Sequence, residues 1–153
     1  MRRSDKEIKD EKTLESILKK AEFCRIALCD KGKPYIVPMN FGYKDNYLYL
    51  HSAKEGRKIE ILQENNSICF EMDLKTELVR SEKPCQWGMK YYSVIGYGEV
   101  SLITDLQEKT KALNNIMEKY APNQVFQYDK DKVEAIVILK VKINDLTGKI
   151  SGY

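Results

Sequence analysis

Apolar positions change period several times along the chain, and each change marks an element. Leu14, Ile17, Leu18 and Ala21 fall at helical spacing behind Asp10 and Glu11. This predicts an amphipathic helix with acid near its positive end, laid against one flank of a core. FCRIALC (23–29) then alternates as a strand, DKGK supplies a turn, PYIVPMNF (34–41) is a second extended run, and GYKDN leads into a third strand, YLYLH (47–51). Loops this short predict an antiparallel meander. Proline donates no backbone hydrogen bond and is confined to edges, bulges and strand starts. Pro38 therefore marks either an interrupted ladder, with backbone groups free for a ligand, or an ordinary strand edge.

The stretch LYLHSAKEGRKIEIL (48–62) switches period in its middle. Ser52 and Glu55 have capping-box spacing, which predicts a second helix from Ala53 through GRKIEILQEN, with Ile59 and Leu62 inward and Asn65–Asn66 as its stop. SICFEMDL (67–74) is the fourth strand, with Ile68, Phe70 and Met72 on one face. Residues 75–88 lack periodicity and read as a long loop. YYSVIGYGEVSLI (91–103) resumes extended structure, with Gly96 and Gly98 on one face, where a missing side chain admits a bulge or a close backbone approach. Thr104 and Gln107 repeat the cap spacing ahead of a third helix lined by Leu106, Thr110, Leu113, Met117 and Tyr120, which ends before Pro122. EAIVILKVKIND (134–145) alternates as the last strand, and TGKISGY is a short tail. Six strands in hairpin order with helices between them predict a mainly β fold: a six-stranded antiparallel barrel with flanking helices, one domain over residues 1–153.

Composition narrows the function. The chain is 42% hydrophobic and 32% charged, a globular balance with ten tyrosines as its one excess. A net charge of +3 arises from 26 cations interleaved with 23 anions, and without a basic block nucleic acid is not the expected partner. MRRSDKEIKDEK is too charged for a signal peptide, and the longest apolar run, Ala135 to Leu139, is far short of the roughly 18 residues a membrane span needs. A soluble, cytoplasmic protein is expected, without a membrane partner. Cys24, Cys29, Cys69 and Cys85 form no CxxC pair and accompany a single histidine. Buried, reduced thiols and no metal site are therefore expected.

The chemistry concentrates at the strand-to-helix junction. A helix N-terminus offers unpaired N–H groups and about half a positive charge to an anion. Arg57 and Lys58, expected in the second turn, would add charge-assisted hydrogen bonds of about 1.5–3 kcal/mol each, and the Ser52 hydroxyl would alternate between cap and ligand. Cations early in a helix are usually a solvated face. Here they oppose the helix dipole by about 0.3–1 kcal/mol each, a cost that a bound phosphate would offset. Tyr35, Tyr47, Tyr49, Trp87, Tyr91 and Tyr92 lie in or near neighbouring elements and offer planar surfaces to an aromatic ring.

Three blocks, PYIVPMNFGY, LYLHSAKEGRKIEILQENNSICFEMD and MKYYSVIGYGEV, resemble those of the pyridoxamine 5′-phosphate oxidase-like FMN-binding split barrels. The wording is closest to the nitroimidazole-resistance (Nim) branch, and the likeness runs from Arg2 to Tyr153, including the MRR start. It implies that Val37, Pro38, Met39 and Asn40 line the isoalloxazine edge and that His51, Ser52 and Ala53 form the strand end beside the flavin. Arg57 and Lys58 would hold the FMN phosphate, and Tyr92 and Ser93 would add a polar contact. Trp87 falls in the family's variable loop and is expected to reach the cofactor across a dimer interface. The arginines and C-terminal tryptophan motif with which true pyridoxamine-phosphate oxidases recognise substrate have no counterpart, so vitamin B6 oxidation is disfavoured.

The resemblance implies a homodimer with FMN in clefts between subunits, the flavin carrying the redox chemistry. The expected activity is reduction of a small aromatic, nitroimidazole-like or quinone-like acceptor. His51 is then an active-site residue that bonds the acceptor or supplies a proton, or else a structural hydrogen-bonder. GYGEV lacks the third glycine of a dinucleotide fingerprint, so NAD(P)H as donor would bind transiently at the flavin face. The rival readings are a non-catalytic protein holding flavin, deazaflavin or haem as store or sensor, and an oligonucleotide-binding barrel.

Overall fold

The computed structural model describes residues 3–153; Arg2 and the first residue of the MRR start lie outside the described residues. The first helix, α1 (Glu11–Lys20), forms where its spacing places it. Asp10 caps it, accepting from the Thr13 N–H at 2.8 Å and the Thr13 hydroxyl at 2.6 Å, a cap worth about 1 kcal/mol. Ile17 and Leu18 are buried on its inner face. At the other end the Lys119 ammonium donates to the carbonyls of Leu18 and Lys19 at 2.9 and 3.2 Å, satisfying acceptors that a helix end leaves open.

The strands are β1 (Glu7–Ile8), β2 (Cys24–Asp30), β3 (Lys33–Met39), β4 (Gly42–Lys44), β5 (Tyr47–Ala53), β6 (Ser67–Val79), β7 (Gly88–Ile103) and β8 (Ile136–Ser151). The expected turn at DKGK arises, joining β2 to β3 through Lys31 and Gly32, and a second tight hairpin that was not expected joins β4 to β5 through Asp45 and Asn46, all four residues at positive φ. Such turns match the twist of the strands they join. The meander does not arise. The sheet order is β3-β2-β6-β7-β8-β5-β4, with β1 added to β8. Each short hairpin instead lies against the long strands β6 and β8, whose alternating inner faces give it an apolar surface to cover.

β3 and β4 are the two ends of that sheet, yet only Asn40 and Phe41 separate them in the chain. Their facing ends are therefore no more than about 11 Å apart, and the sheet must curl until its edges approach. β4 pairs only with Tyr47 to Tyr49, so β5 from Leu50 onward has an open edge facing the end of β3. The barrel is split at this seam. Its interior is filled by Phe41, Leu48, Leu50, Phe70, Met72, Val94, Leu139 and Val141, all buried. A Cβ on Gly96 would collide with the Phe70 ring, which explains why that strand position carries no side chain.

The eight strands exceed the expected six through β1 and β4, both too short to show a period. The expected loop at 75–88 is confined to residues 80–87: β6 continues to Val79, paired with Gly88 across a connection containing one turn of 3-10 helix, Pro84–Gln86. Residues 75–78 are solvent-exposed, so no inner face imposes alternation and the backbone ladder alone holds the extension. The expected tail is likewise the end of β8, paired with β7 as far as Tyr91–Ser151. The third helix, α3 (Leu106–Tyr120), is capped by Asp105 rather than Thr104 and turns Lys109, Ala112 and Ile116 inward. Its buried stripe is thus rotated from the expected one, because α3 lies on β4 so closely that a Cβ on Gly42 would meet the backbone of Asn115 and Ile116. A short α4 (Lys130–Glu134) precedes β8. Among the described residues no helix is long and apolar enough to cross a membrane.

Candidate functional site

The junction after β5 is built differently from its sequence reading. The β5–β8 ladder continues to the pair Ala53–Ile136, so the strand extends past the residues expected to start a helix. Ser52 then points inward and is 7% exposed, opposite to His51 and Ala53 on the outer face. It is not a helix cap. The helix α2 (Arg57–Glu64) begins after Gly56, whose φ of 107° makes the turn that a side chain would resist, and no side chain caps it. Arg57 and Lys58 consequently occupy the first turn, where the positive helix end adds to their own charge.

Pro38 sits on an edge strand whose ladder to β2 is continuous from Cys24–Met39 to Asp30–Lys33. The second reading of this proline holds, and no ladder is interrupted. Its position is still informative, because the open side of β3 is one wall of the split. Phe23, Pro38, Met39, Asn40, His51 and Lys58 line a cavity of about 560 Å³ there. Pro38, Asn40 and His51 are exposed, while Met39 and Val37 turn inward and pack against the core. The His51 side chain makes no hydrogen bond with another described residue and lines the cavity unengaged.

The two cations differ. Arg57 is exposed, stacked at 4.8 Å on the Tyr35 ring and paired with Asp30 at 3.3 Å; an ion pair this open is worth about 0–1 kcal/mol. Lys58 is half-buried, and its ammonium meets the Met39 thioether at 3.4 Å and, among the described residues, no carboxylate. Desolvation holds its pKa below the usual lysine value. A cation removed from water without a counter-charge is unfavourable unless an anion arrives to pair with it.

Two residues not among the expected site residues shape the rims. Tyr120, at the end of α3, accepts from the Phe41 N–H at 3.1 Å and donates to the Glu22 carbonyl at 2.7 Å, thereby joining the segments that carry Asn40 and Phe23. Nothing in the sequence signals that bridge, which depends on where α3 docks. Phe23 is 41% exposed; its clue was the start of the β2 alternation, which sets it on the solvent face. Among the cysteines only Cys24 is fully buried, while Cys69 is half-buried and Cys29 and Cys85 are exposed. The expectation of buried thiols fails for the last two, one on the outer face of β2 and one in the β6–β7 connection.

Tyr92, Ser93 and Trp87 are not brought to the cavity of their own chain. Tyr92 pairs with Ile150 and His51 with Ile138, which leaves about 40 Å of β8 between the two levels. Tyr92 stacks on Tyr153 with ring centroids 5.1 Å apart. Trp87, half-exposed, donates to the Ser81 carbonyl near the tip of the β6–β7 hairpin.

Comparison with known proteins places this architecture. The family described as pyridoxamine 5′-phosphate oxidase matches residues 10–150. A candidate 5-nitroimidazole antibiotic resistance protein from Bacteroides thetaiotaomicron is similar at 40% identity and a TM-score of 0.84, over 94% of this chain and 86% of that one. The flavocytochrome Anf3 from Azotobacter vinelandii has a TM-score of 0.86 at 22% identity, covering 100% and 72% of the two chains. An FAD- and heme-binding protein from Mycobacterium smegmatis has a TM-score of 0.86 at 18% identity, covering 97% and 74%. The last two show likeness of fold. A comparison with curated proteins gives no match.

Proposed function

Taking as premise that the chain belongs to the pyridoxamine 5′-phosphate oxidase family, we propose that the split between β3 and β5 is a flavin site, that the flavin is FMN, and that the protein is an oxidoreductase. The observation that carries this reading is Lys58: a half-buried ammonium without an anionic partner among the described residues, second in a helix that no side chain caps, at the wall of an open cavity. Those residues fit a phosphate monoester. The α2 N–H groups and Lys58 would hold it, and Arg57 would join by leaving Asp30, a weak partner. FMN would supply the redox chemistry, accepting reducing equivalents from a donor such as NAD(P)H and releasing them to a small aromatic, nitroimidazole-like or quinone-like acceptor.

The chain's own residues orient and protonate. Pro38 and Asn40 present an edge to the ring, and His51, exposed and without a hydrogen-bond partner among the described residues, holds a proton where charge builds on the acceptor. A homodimer belongs to the proposal, because Tyr92, Ser93 and Trp87 could reach a cavity only on a second copy. Light scattering would then give twice the chain mass. Protein titrated with FMN should bind it and lose the flavin fluorescence, and anaerobic NAD(P)H should bleach the band at about 450 nm, which nitroaromatic or quinone acceptors then restore. Binding without turnover for every donor–acceptor pair would leave a flavin carrier or sensor. Failure to bind any flavin would refute the site.

A further inference from the structure

Phe23 is not among the residues that the family resemblance brings to the site, yet it supplies the one benzenoid ring in the cavity. It is 41% exposed although it adjoins a strand whose next residue, Cys24, is completely buried. The guanidinium of Arg25 lies over this ring at 4.9 Å. That guanidinium is itself held by two carboxylates, Glu71 at 2.8 Å and Asp73 at 2.6 Å, from neighbouring positions on β6. One face of Phe23 is therefore backed by a fixed planar cation, and the ring is presented, not tucked away.

Its place in the cavity is also ordered. Arg57 stacks on Tyr35 near the β2–β3 turn, and Lys58 meets Met39 at the other end of β3, about 13 Å further along the strand. Cys24 pairs with Met39, so Phe23 lies one step beyond, level with Asn40, in a cavity that His51 also lines. Lys58, level with Met39, thus stands between Arg57 at the phosphate end and Phe23 at the far end, the ring end.

We infer that Phe23 is a specificity-determining residue: it forms the stacking wall for a planar aromatic acceptor at the ring end of the cavity, with Arg25 holding it in place. The inference rests on the flavin reading and deepens it by naming what selects the acceptor. A flat ring gains contact and quadrupole attraction against Phe23 that an inorganic or compact aliphatic acceptor does not. Discrimination by shape follows, independent of the phosphate end.

The test compares FMN-loaded protein with Phe23→Ala and Phe23→Tyr, reduced anaerobically with dithionite and mixed with a 5-nitroimidazole, a naphthoquinone or ferricyanide. The ratio of second-order rate constants, planar acceptor over ferricyanide, should fall about tenfold in Phe23→Ala and return in Phe23→Tyr, which keeps the ring. FMN affinity, measured by fluorescence titration in the same proteins, should change less than that ratio. An unchanged ratio in properly loaded Phe23→Ala would overturn the inference while leaving the flavin site standing. A loss of FMN affinity equal to the change in ratio would overturn it too, since the ring would then be packing on the cofactor. Unaltered protein that takes up no FMN would overturn both readings together.

Discussion

Replacing Lys58 with methionine isolates the charge from the stem that carries it. Methionine preserves an unbranched apolar chain against Met39 and removes the half-buried ammonium, which has no carboxylate to lose. Free protein should therefore be unchanged or stabilised by about 0.5–1 kcal/mol, since an uncompensated desolvation is relieved. The ligand-bound form should lose one charge-assisted hydrogen bond to phosphate, about 1.5–3 kcal/mol, which weakens FMN binding by roughly 10- to 150-fold. Riboflavin has the same ring and no phosphate, so its affinity should be nearly insensitive to the substitution. Fluorescence titration of both flavins against both proteins, with urea denaturation of the free forms, gives all the quantities needed. Equal losses for FMN and riboflavin would refute the reasoning, because Lys58 would then be acting on the ring or on the fold. So would an unchanged FMN affinity.

Tyr120→Phe should cost about 1–3 kcal/mol in urea denaturation, since it strands the N–H of fully buried Phe41, and should weaken FMN binding by loosening both rims; unaltered stability would deny the bridge. Gly42→Ala should destabilise by about 1–3 kcal/mol or more, because its Cβ meets helix backbone that cannot rotate away; a neutral result in thermal unfolding would contradict the close approach of α3 to β4. Desolvation pushes Lys119 down to about 8 and Cys24 up to about 12. Above pH 8 the unfolded chain holds the Lys119 proton more tightly than the folded one, so stability should rise between pH 8 and 9. From pH 9 upward the folded chain retains the Cys24 proton that the unfolded one gives up, and this opposes the gain. Midpoints measured from pH 7.5 to 9 should climb in the unaltered protein and flatten in Lys119→Met; a falling midpoint over that range would reverse the assigned sign.

Sequence reading succeeded where a single local force decides the outcome. The α1 stripe with acid ahead of it and the DKGK turn needed nothing from outside their own segments. It failed where a partner strand decides. Ser52 has the residue type and spacing of a cap, but β8 pairs with β5 through Ala53, and the helix begins four residues later than the cap pattern suggests. Residues 75–88 gave no period because both of their faces meet water, and the ladder that extends them is not written in side chains. The cavity divides the same way. Pro38, Met39, Asn40, His51 and Lys58 were legible because they lie on two short segments with recognisable wording, and the structure places them together. Tyr120 was not, since its bridge depends on where α3 docks, and Phe23 showed only as the first residue of the β2 alternation.

Pro34 and Pro38 stand four residues apart on β3 and so share one hydrogen-bonding parity. The unbroken ladder to β2 requires that parity to point outward, toward the unpaired stretch of β5. Of the three amide nitrogens aimed across the seam, only that of Ile36 bears a hydrogen. A barrel with ordinary residues there would have a zipper on each lip and every incentive to knit itself shut, burying the very room a guest needs. Two pyrrolidine rings leave the garment unbuttoned, and vacancy becomes a covalent property of the chain.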